Sequence, residues 1–351
     1  MTCCLAQAGR NCDGFLFRDD PLNDDRDCAG LLMAEIFEIV FPVFALAAIG
    51  YVAVRSGLLS AAAGDGLTSF VVNLAIPVLL FRSLAVADYS GNSPWGLWFT
   101  YLCGIIVAWG GAIFLIAFIV KRGYRASVIA GVAASFSNLV LVGIPLAERA
   151  FGPEGLALHF LLISVHLPFM MAASTFLMEF AVRADGAETS PMRPLSVAKT
   201  LLMNFAKNPL IIGILLGAVW HFGGWGIGGQ FAQILDLIGR TAGPLALFAL
   251  GMSFVKYGIR GNWKPAIGLS LLSVVVMPAS VLFVGTQVVE LSPLALKVAV
   301  VAAACPTGVN GYLFAVYFKV AEGLASSAIV IATLMSLVAL PFWLSVASAY
   351  S

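Results

Sequence analysis

The sequence predicts an all-α membrane protein: ten transmembrane helices in two inverted five-helix repeats, with crossed broken helices at spans four and nine. Three observations carry this. Hydrophobic residues make up 61% of the 351 residues and charged residues 11%, with a mean hydropathy of +0.99. A soluble domain carries about a quarter charged residues, so lipid is the solvent for most of this chain. Apolar runs of about 20 residues, the length that crosses a bilayer, recur along it. Short motifs from the first half return in the second at a nearly constant offset.

Residues 1–32 are polar, acidic and without periodicity, and they hold Cys3, Cys4, Cys12 and Cys28. They lack the apolar core of a signal peptide. Met33 then opens MAEIFEIVFPVFALAAIGYV, a natural membrane helix, so the tail reads as a start-site artefact. The functional alternative is a small cysteine-bearing cap. Cys103 and Cys305 lie in apolar stretches and read as buried thiols. The spans fall near 35–55, 67–86, 96–120, 127–149, 155–182, 204–222, 240–257, 264–287, 294–318 and 323–347. The first repeat is expected over 33–182, a polar cytoplasmic linker over 183–203, and the second repeat over 204–351.

Lysine and arginine set the orientation. Connections after spans one, three, five, seven and nine carry 12 of them; those after two, four, six and eight carry 3, namely Arg149, Arg240 and Lys297. Positive loops stay in the cytoplasm, so both termini should lie outside it, in a cell inner membrane. Arg82 is expected to snorkel to the outer interface. A net charge of +1 gives no pull toward nucleic acid.

The repeat is legible in single residues. Pro42 and Gly50 answer Pro209 and Gly217, and Pro77 and Phe81 answer Pro244 and Phe248, all at an offset of 167. Glu154-Gly-Leu-Ala answers Glu322-Gly-Leu-Ala at 168. A unit of five helices reverses sidedness, so the second must insert upside down, the arrangement of secondary transporters. Gly213 and Gly217 are expected to pack within the molecule. The tryptophans are expected to act mostly as interfacial anchors at span ends.

The fourth span of each repeat is interrupted, as SFSNLVLVGIP (135–145) and ACPTGVNGYLF (304–314). Proline removes a backbone donor and glycine tolerates unwound backbone. In lipid such freed groups are tolerated where they line a cavity or contact protein. Half-helix N-termini carry about +0.5 of a charge, so two breaks facing each other make a carboxylate site. Asn138 and Asn310 are the expected donors; Gly143, Pro145, Pro306, Thr307 and Gly308 shape or supply the backbone. His166, deep in span five, is the other polar candidate, as a substrate contact or proton carrier or as a hydrogen-bonded structural histidine. His159 is expected at the interface. No metal site or cofactor is implied.

The segments SNLVLVGIPL, CPTGVNGYLFA, NLAIPVLLF and KNPLIIGILLG resemble the auxin efflux carrier family, which includes bacterial malonate-type carriers and plant auxin exporters. The resemblance covers roughly 33–347. It implies a scaffold of spans one, two, six and seven, a transport domain of three to five and eight to ten, elevator-like movement, and an anion held at the crossed breaks. It assigns substrate contact to Asn138 and to the backbone around Pro306, and places His166 where plant members carry glutamine. Span three here, WGLWFTYLCGIIVAWGGAIFL, lacks the Asp and Lys of the plant pattern. The expected partners are thus a small organic anion, the bilayer, protons as coupling ion, and a second copy through the scaffold. An intramembrane enzyme would need HExxH, Gly-x-Ser or paired aspartates, and none is present; Asp236 is expected to stand without a partner. A sodium-coupled bile-acid-type carrier would need a full oxygen set near the breaks, and Glu148 and Thr307 alone do not make one. A transporter-like sensor is the remaining alternative; no signalling domain is attached.

Overall fold

The computed structural model describes residues 21–86, 94–186, 199, 202–203, 205–259 and 263–350. The expected tail lies outside these up to residue 20, and the expected linker lies outside them at 187–198 and 200–201. The described residues are almost wholly helical. In chain order they form α1 (Pro21–Arg55), α2 (Ala61–Phe70), α3 (Ile76–Val86), α4 (Pro94–Phe114), α5 (Tyr124–Ser135), α6 (Ile144–Ala184), α7 (Pro209–Phe222), α8 (Gly229–Ser253), α9 (Trp263–Leu271), α10 (Met277–Gln287), α11 (Pro293–Ala304), α12 (Asn310–Phe318) and α13 (Glu322–Ser348). Single π-helical turns join α2 to α3, end α4, lead into α6, and join α9 to α10. Among the described residues, seven helical stretches are long and apolar enough to cross a membrane, and α7 and α11 are shorter apolar helices.

Local chemistry sets several boundaries. Pro94, Pro209 and Pro293 each occupy a first helical position, where the missing N–H costs nothing. Asn208 caps α7, its side-chain oxygen accepting from Leu210 and Ile211 N–H. At Gly152 the chain adopts φ 63° and ψ −161°, which breaks α6 sharply. Pro153 follows, so the segments before and after run as separate rods. This is where the sequence separates spans four and five.

The helices pack as two groups. In the first, α1 lies on α8 and α3 on α7, with α2 also against α8. Glycine lets these backbones touch. A side chain at Gly217 would meet the Phe81 carbonyl at 2.8 Å, and one at Gly213 the Pro77 carbonyl at 2.7 Å. In the same way Gly50 lies against the Phe248 carbonyl and Gly251 against the Ala47 carbonyl. Gly213 and Gly217 thus pack inside the chain, as the sequence suggests. In the second group α4 packs on α5 and α10, α9 and α11 on α13, and α6 on α11.

Several sequence expectations need correction here. Arg149, Arg240 and Lys297 do not sit in connections; they lie inside α6, α8 and α11. Helix α8 begins at Gly229, eleven residues before the expected span, because the amphipathic stretch QFAQILDLIG is already helical. Asp236 is not without a partner. Its carboxylate receives Arg82 Nη1 at 2.8 Å and Arg240 Nη2 at 2.6 Å, so Arg82 ends on an ion pair with α8 and does not simply snorkel. His159 is not interfacial: it is 1% exposed. Trp109 and Trp343 are buried, the latter donating to the Val274 carbonyl at 2.8 Å, so they are packing groups and not anchors.

Candidate functional site

The site forms where the two interrupted helices meet. After Ser135 the chain leaves the helix at Phe136 (φ −86°, ψ 79°) and resumes in the π-turn Leu139–Gly143. After Ala304 it extends through Cys305 (φ −58°, ψ 141°) and Pro306 and resumes at Asn310. The extended pieces pair antiparallel through Ser137 and Thr307. Asn138 N–H donates to the Pro306 carbonyl and Gly308 N–H to the Phe136 carbonyl, both at 2.8 Å. The breaks therefore satisfy part of each other's freed backbone, as a low-dielectric interior demands.

The hydroxyls extend the pairing. Thr307 Oγ1 donates to the Ala133 carbonyl at 2.7 Å, and Ser137 Oγ reaches the Ala303 carbonyl at a long 3.5 Å. Both carbonyls are freed by the helix ends. Thr307 is 1% exposed, so its hydroxyl is committed to holding the crossing.

A cavity of about 440 Å³ opens beside the crossing, between the two helix groups. One wall is Phe136–Leu141, His166 and Gly308–Asn310; the other is α2, Val72, Asn73 and the start of α7. Of the sequence-predicted site residues, Asn138, His166, Gly308 and Asn310 thus come together on it. Gly143, Pro145, Pro306 and Thr307 support it from behind. Gly143 leaves room for the His159 ring, and Pro145 packs on Gly243.

Asn138 and His166 on the wall, and His159 behind it, have defined surroundings. Asn138 Oδ1 accepts from Leu141 N–H at 3.0 Å and caps the π-turn, which leaves the amide N–H2 as its donor group. His159 Nε2 lies 2.9 Å from the Leu139 carbonyl. A carbonyl only accepts, so Nε2 carries the proton. His166 lies edge-on between Phe136 (4.9 Å) and Tyr101 (5.6 Å). It is 2% exposed, and neither ring nitrogen has a hydrogen-bond partner among the described residues. The Ser137 backbone lies beside it, outside hydrogen-bond geometry. Buried polar atoms are normally paired, so two free nitrogens on a cavity wall mark a place for a ligand or water.

Sequence reasoning missed the far wall. Asn208 and Asn73 line it, Asn73 Nδ2 donating to Ser69 Oγ at 3.0 Å. The Asn-Pro pair at a helix start was a readable cap signal for Asn208. Nothing readable marked Asn73, whose placement follows from the π-turn Val71–Ala75. Asp65, the one carboxylate on the lining among the described residues, is paired with Lys256 Nζ.

Apolar rods, a crossed pair of half-helices and a donor-lined cavity between two helix groups define a multi-pass membrane transporter. Comparison places it further: a family model described as membrane transport protein matches residues 35–344, and the chain belongs to that family, the auxin efflux carrier family. An uncharacterized transporter of Methanothermobacter thermautotrophicus is 26% identical over 87% of this chain and 96% of its own. A protein of Rhizobium meliloti named for malonate transport is 26% identical over 87% and 93%. Auxin efflux carrier component 8 of Arabidopsis thaliana is 23% identical over 86% and 95%. The family and these relatives are transporters and not enzymes.

Proposed function

We propose that this protein moves a small organic anion, malonate or another short carboxylate, by elevator-type alternating access within ten helices arranged as two inverted repeats. The observation that carries the reading is the reciprocal Ser137–Thr307 pairing beside a donor-lined cavity. Contacts at equivalent places support the repeat: Gly217 on the Phe81 carbonyl matches Gly50 on the Phe248 carbonyl, both residues displaced by 167. The group holding α1–α3, α7 and α8 would be the scaffold and the other the moving body. The cavity lies on their boundary, as a site carried by one body against the other must.

The start of the π-turn, at Leu139, and the start of α12, at Asn310, both lie on the cavity lining, and a helix N-terminus carries about +0.5 of a charge. Together they balance one carboxylate. A second carboxylate needs another positive group, and a proton on His166 would supply it, which is how proton coupling would enter. With the basic connections in the cytoplasm of a bacterial inner membrane, the Asp65 end of the cavity faces inward and both termini lie outside. A homodimer would form through the scaffold.

Uptake of radiolabelled malonate, pyruvate, succinate and indole-acetate into proteoliposomes tests the reading, with sodium replaced by choline in parallel. Saturable uptake of one acid that survives the replacement supports it. Uptake of none refutes the anion reading, and uptake abolished by choline returns the sodium-coupled alternative.

A further inference from the structure

The ion triad Arg82–Asp236–Arg240 takes no part in the cavity described above. Both oxygens of Asp236 are engaged, by Arg82 at 2.8 Å and Arg240 at 2.6 Å. One negative and two positive groups leave a surplus positive charge. Arg240 lies eleven residues into α8, about 16 Å from its start. Its side chain is nevertheless 76% exposed. A cation on a membrane helix is costly unless it faces water or an anion, and Asp236 is one carboxylate shared between two guanidiniums, so the pair retains positive charge for a further anion.

The internal repeat identifies that partner's place. The offset of 167 that carries Gly50 onto Gly217 and Phe81 onto Phe248 also carries Ser69, Val72 and Asn73 onto Asp236, Gly239 and Arg240. The first three line the cavity. Their counterparts lie along α8 beside α3, with Gly239 on Leu79, Asp236 on Arg82 and the Arg240 side chain exposed; one turn further along α8, Gly243 closes on Pro145 and Glu148 of the other helix group. Nearby Arg149 Nη2 donates to the Glu38 carbonyl on α1 at 3.2 Å.

We infer that Asp236, Gly239 and Arg240 form the scaffold wall of the anion site when it opens to the other side of the membrane, and that Arg240 there contacts the carboxylate. This rests on the alternating-access reading above. Opening parts Gly243 from Pro145 and Arg149 from the Glu38 carbonyl. Arg240 then occupies the place that Asn73 occupies here, and Arg82 keeps Asp236 neutralised so that the wall stays positive. The two faces of the carrier thus differ in chemistry: amide and hydroxyl on the inner wall, a guanidinium on the outer.

Two measurements test this. Malonate exchange is followed in right-side-out and inside-out membrane vesicles for the parent, Arg240→Gln and Asn73→Ala. Loss of a charged hydrogen bond raises the half-saturating concentration about ten-fold or more. Arg240→Gln should do so at the outer face and leave the inner face within about two-fold; Asn73→Ala should do the reverse. An equal shift at both faces for Arg240→Gln, or none, overturns the assignment. Independently of substrate, Gly243→Cys in a chain lacking the native cysteines should react with a membrane-impermeant thiol reagent from outside. A Cβ at Gly243 meets its nearest neighbour at an ordinary 3.5 Å, so the variant fits. No labelling in a protein that still exchanges malonate overturns the mirrored opening. If no carboxylate moves yet Gly243→Cys labels, the anion reading fails and Arg240's contact with it, while the opening stands.

Discussion

Asn138 does two jobs with two ends of one carboxamide, and substitution can separate them. The oxygen caps Leu141 N–H; the N–H2 group faces the carboxylate in the proposed site. Asn138→Ala removes both. Orphaning the buried Leu141 donor costs about 1–3 kcal/mol, a fall in melting temperature of some degrees at about 2–4 °C per kcal/mol. Losing a donor to a charged acceptor costs about 1.5–3 kcal/mol of binding, roughly ten- to hundred-fold in Kd. Asn138→Asp keeps the capping oxygen but sets a negative charge against the substrate. Two like charges about 4 Å apart repel by about 4 kcal/mol at an effective dielectric of 20, enough to abolish measurable binding. The backbone bond from Asn138 N–H to Pro306 survives in both variants. Thermal unfolding in detergent should therefore rank parent and Asp together above Ala. Malonate binding should rank parent above Ala above Asp. The reasoning is refuted if affinity simply follows stability, or if Asn138→Asp binds as well as Asn138→Ala.

Other expectations follow from the same geometry. His166→Phe fills an aromatic slot and removes two unpartnered buried nitrogens, each worth about 1–3 kcal/mol; it should raise the melting temperature and lose anion binding, whereas His166→Gln keeps binding, as paired unfolding and binding assays will show. Gly217→Val drives a branched side chain into the Phe81 carbonyl and should sharply reduce the yield of monodisperse protein on size exclusion, with Gly50→Val equally damaging at the matching contact. Partial burial raises the Asp185 pKa, but the N–H groups of Arg125 and Tyr124 and the Arg125 guanidinium outweigh it and hold the carboxyl below its ordinary 3.8. A depressed folded pKa means stability present above the unfolded value and lost as pH falls through the folded one. Asp185→Asn should thus melt below the parent at pH 7, and the gap should close as the pH drops below about 3.8; an undiminished gap there would contradict the assignment.

Much of this was legible because lipid punishes irregular backbone. Asn, Gly and Pro packed into two apolar runs had to be placed where the freed groups find partners, and they find each other. The rest depended on three-dimensional neighbours that no local pattern encodes. Arg82 and Asp236 lie on helices far apart in the chain, so the sequence offers each as an isolated charge. The start of α8 was missed because QFAQILDLIG is too polar for a hydropathy window, although its apolar positions suit a helix facing another helix. His159 resembled an interfacial group by its distance from the helix start, but the break in the preceding segment brings the Leu139 carbonyl down onto it. Asn73 and the far wall were hidden because a π-turn rotates the helix face without any signal in composition.

The central claim is that the crossed breaks hold a carboxylate, and equilibrium binding to purified protein tests it most directly. Radiolabelled malonate, pyruvate, succinate and indole-acetate should be titrated against the parent, with each unlabelled acid as competitor. The account predicts saturable binding of a carboxylate that Asn138→Asp abolishes in a protein that still melts like the parent. A chain that binds none of them, or binds them equally well with Asn138→Asp, would contradict it.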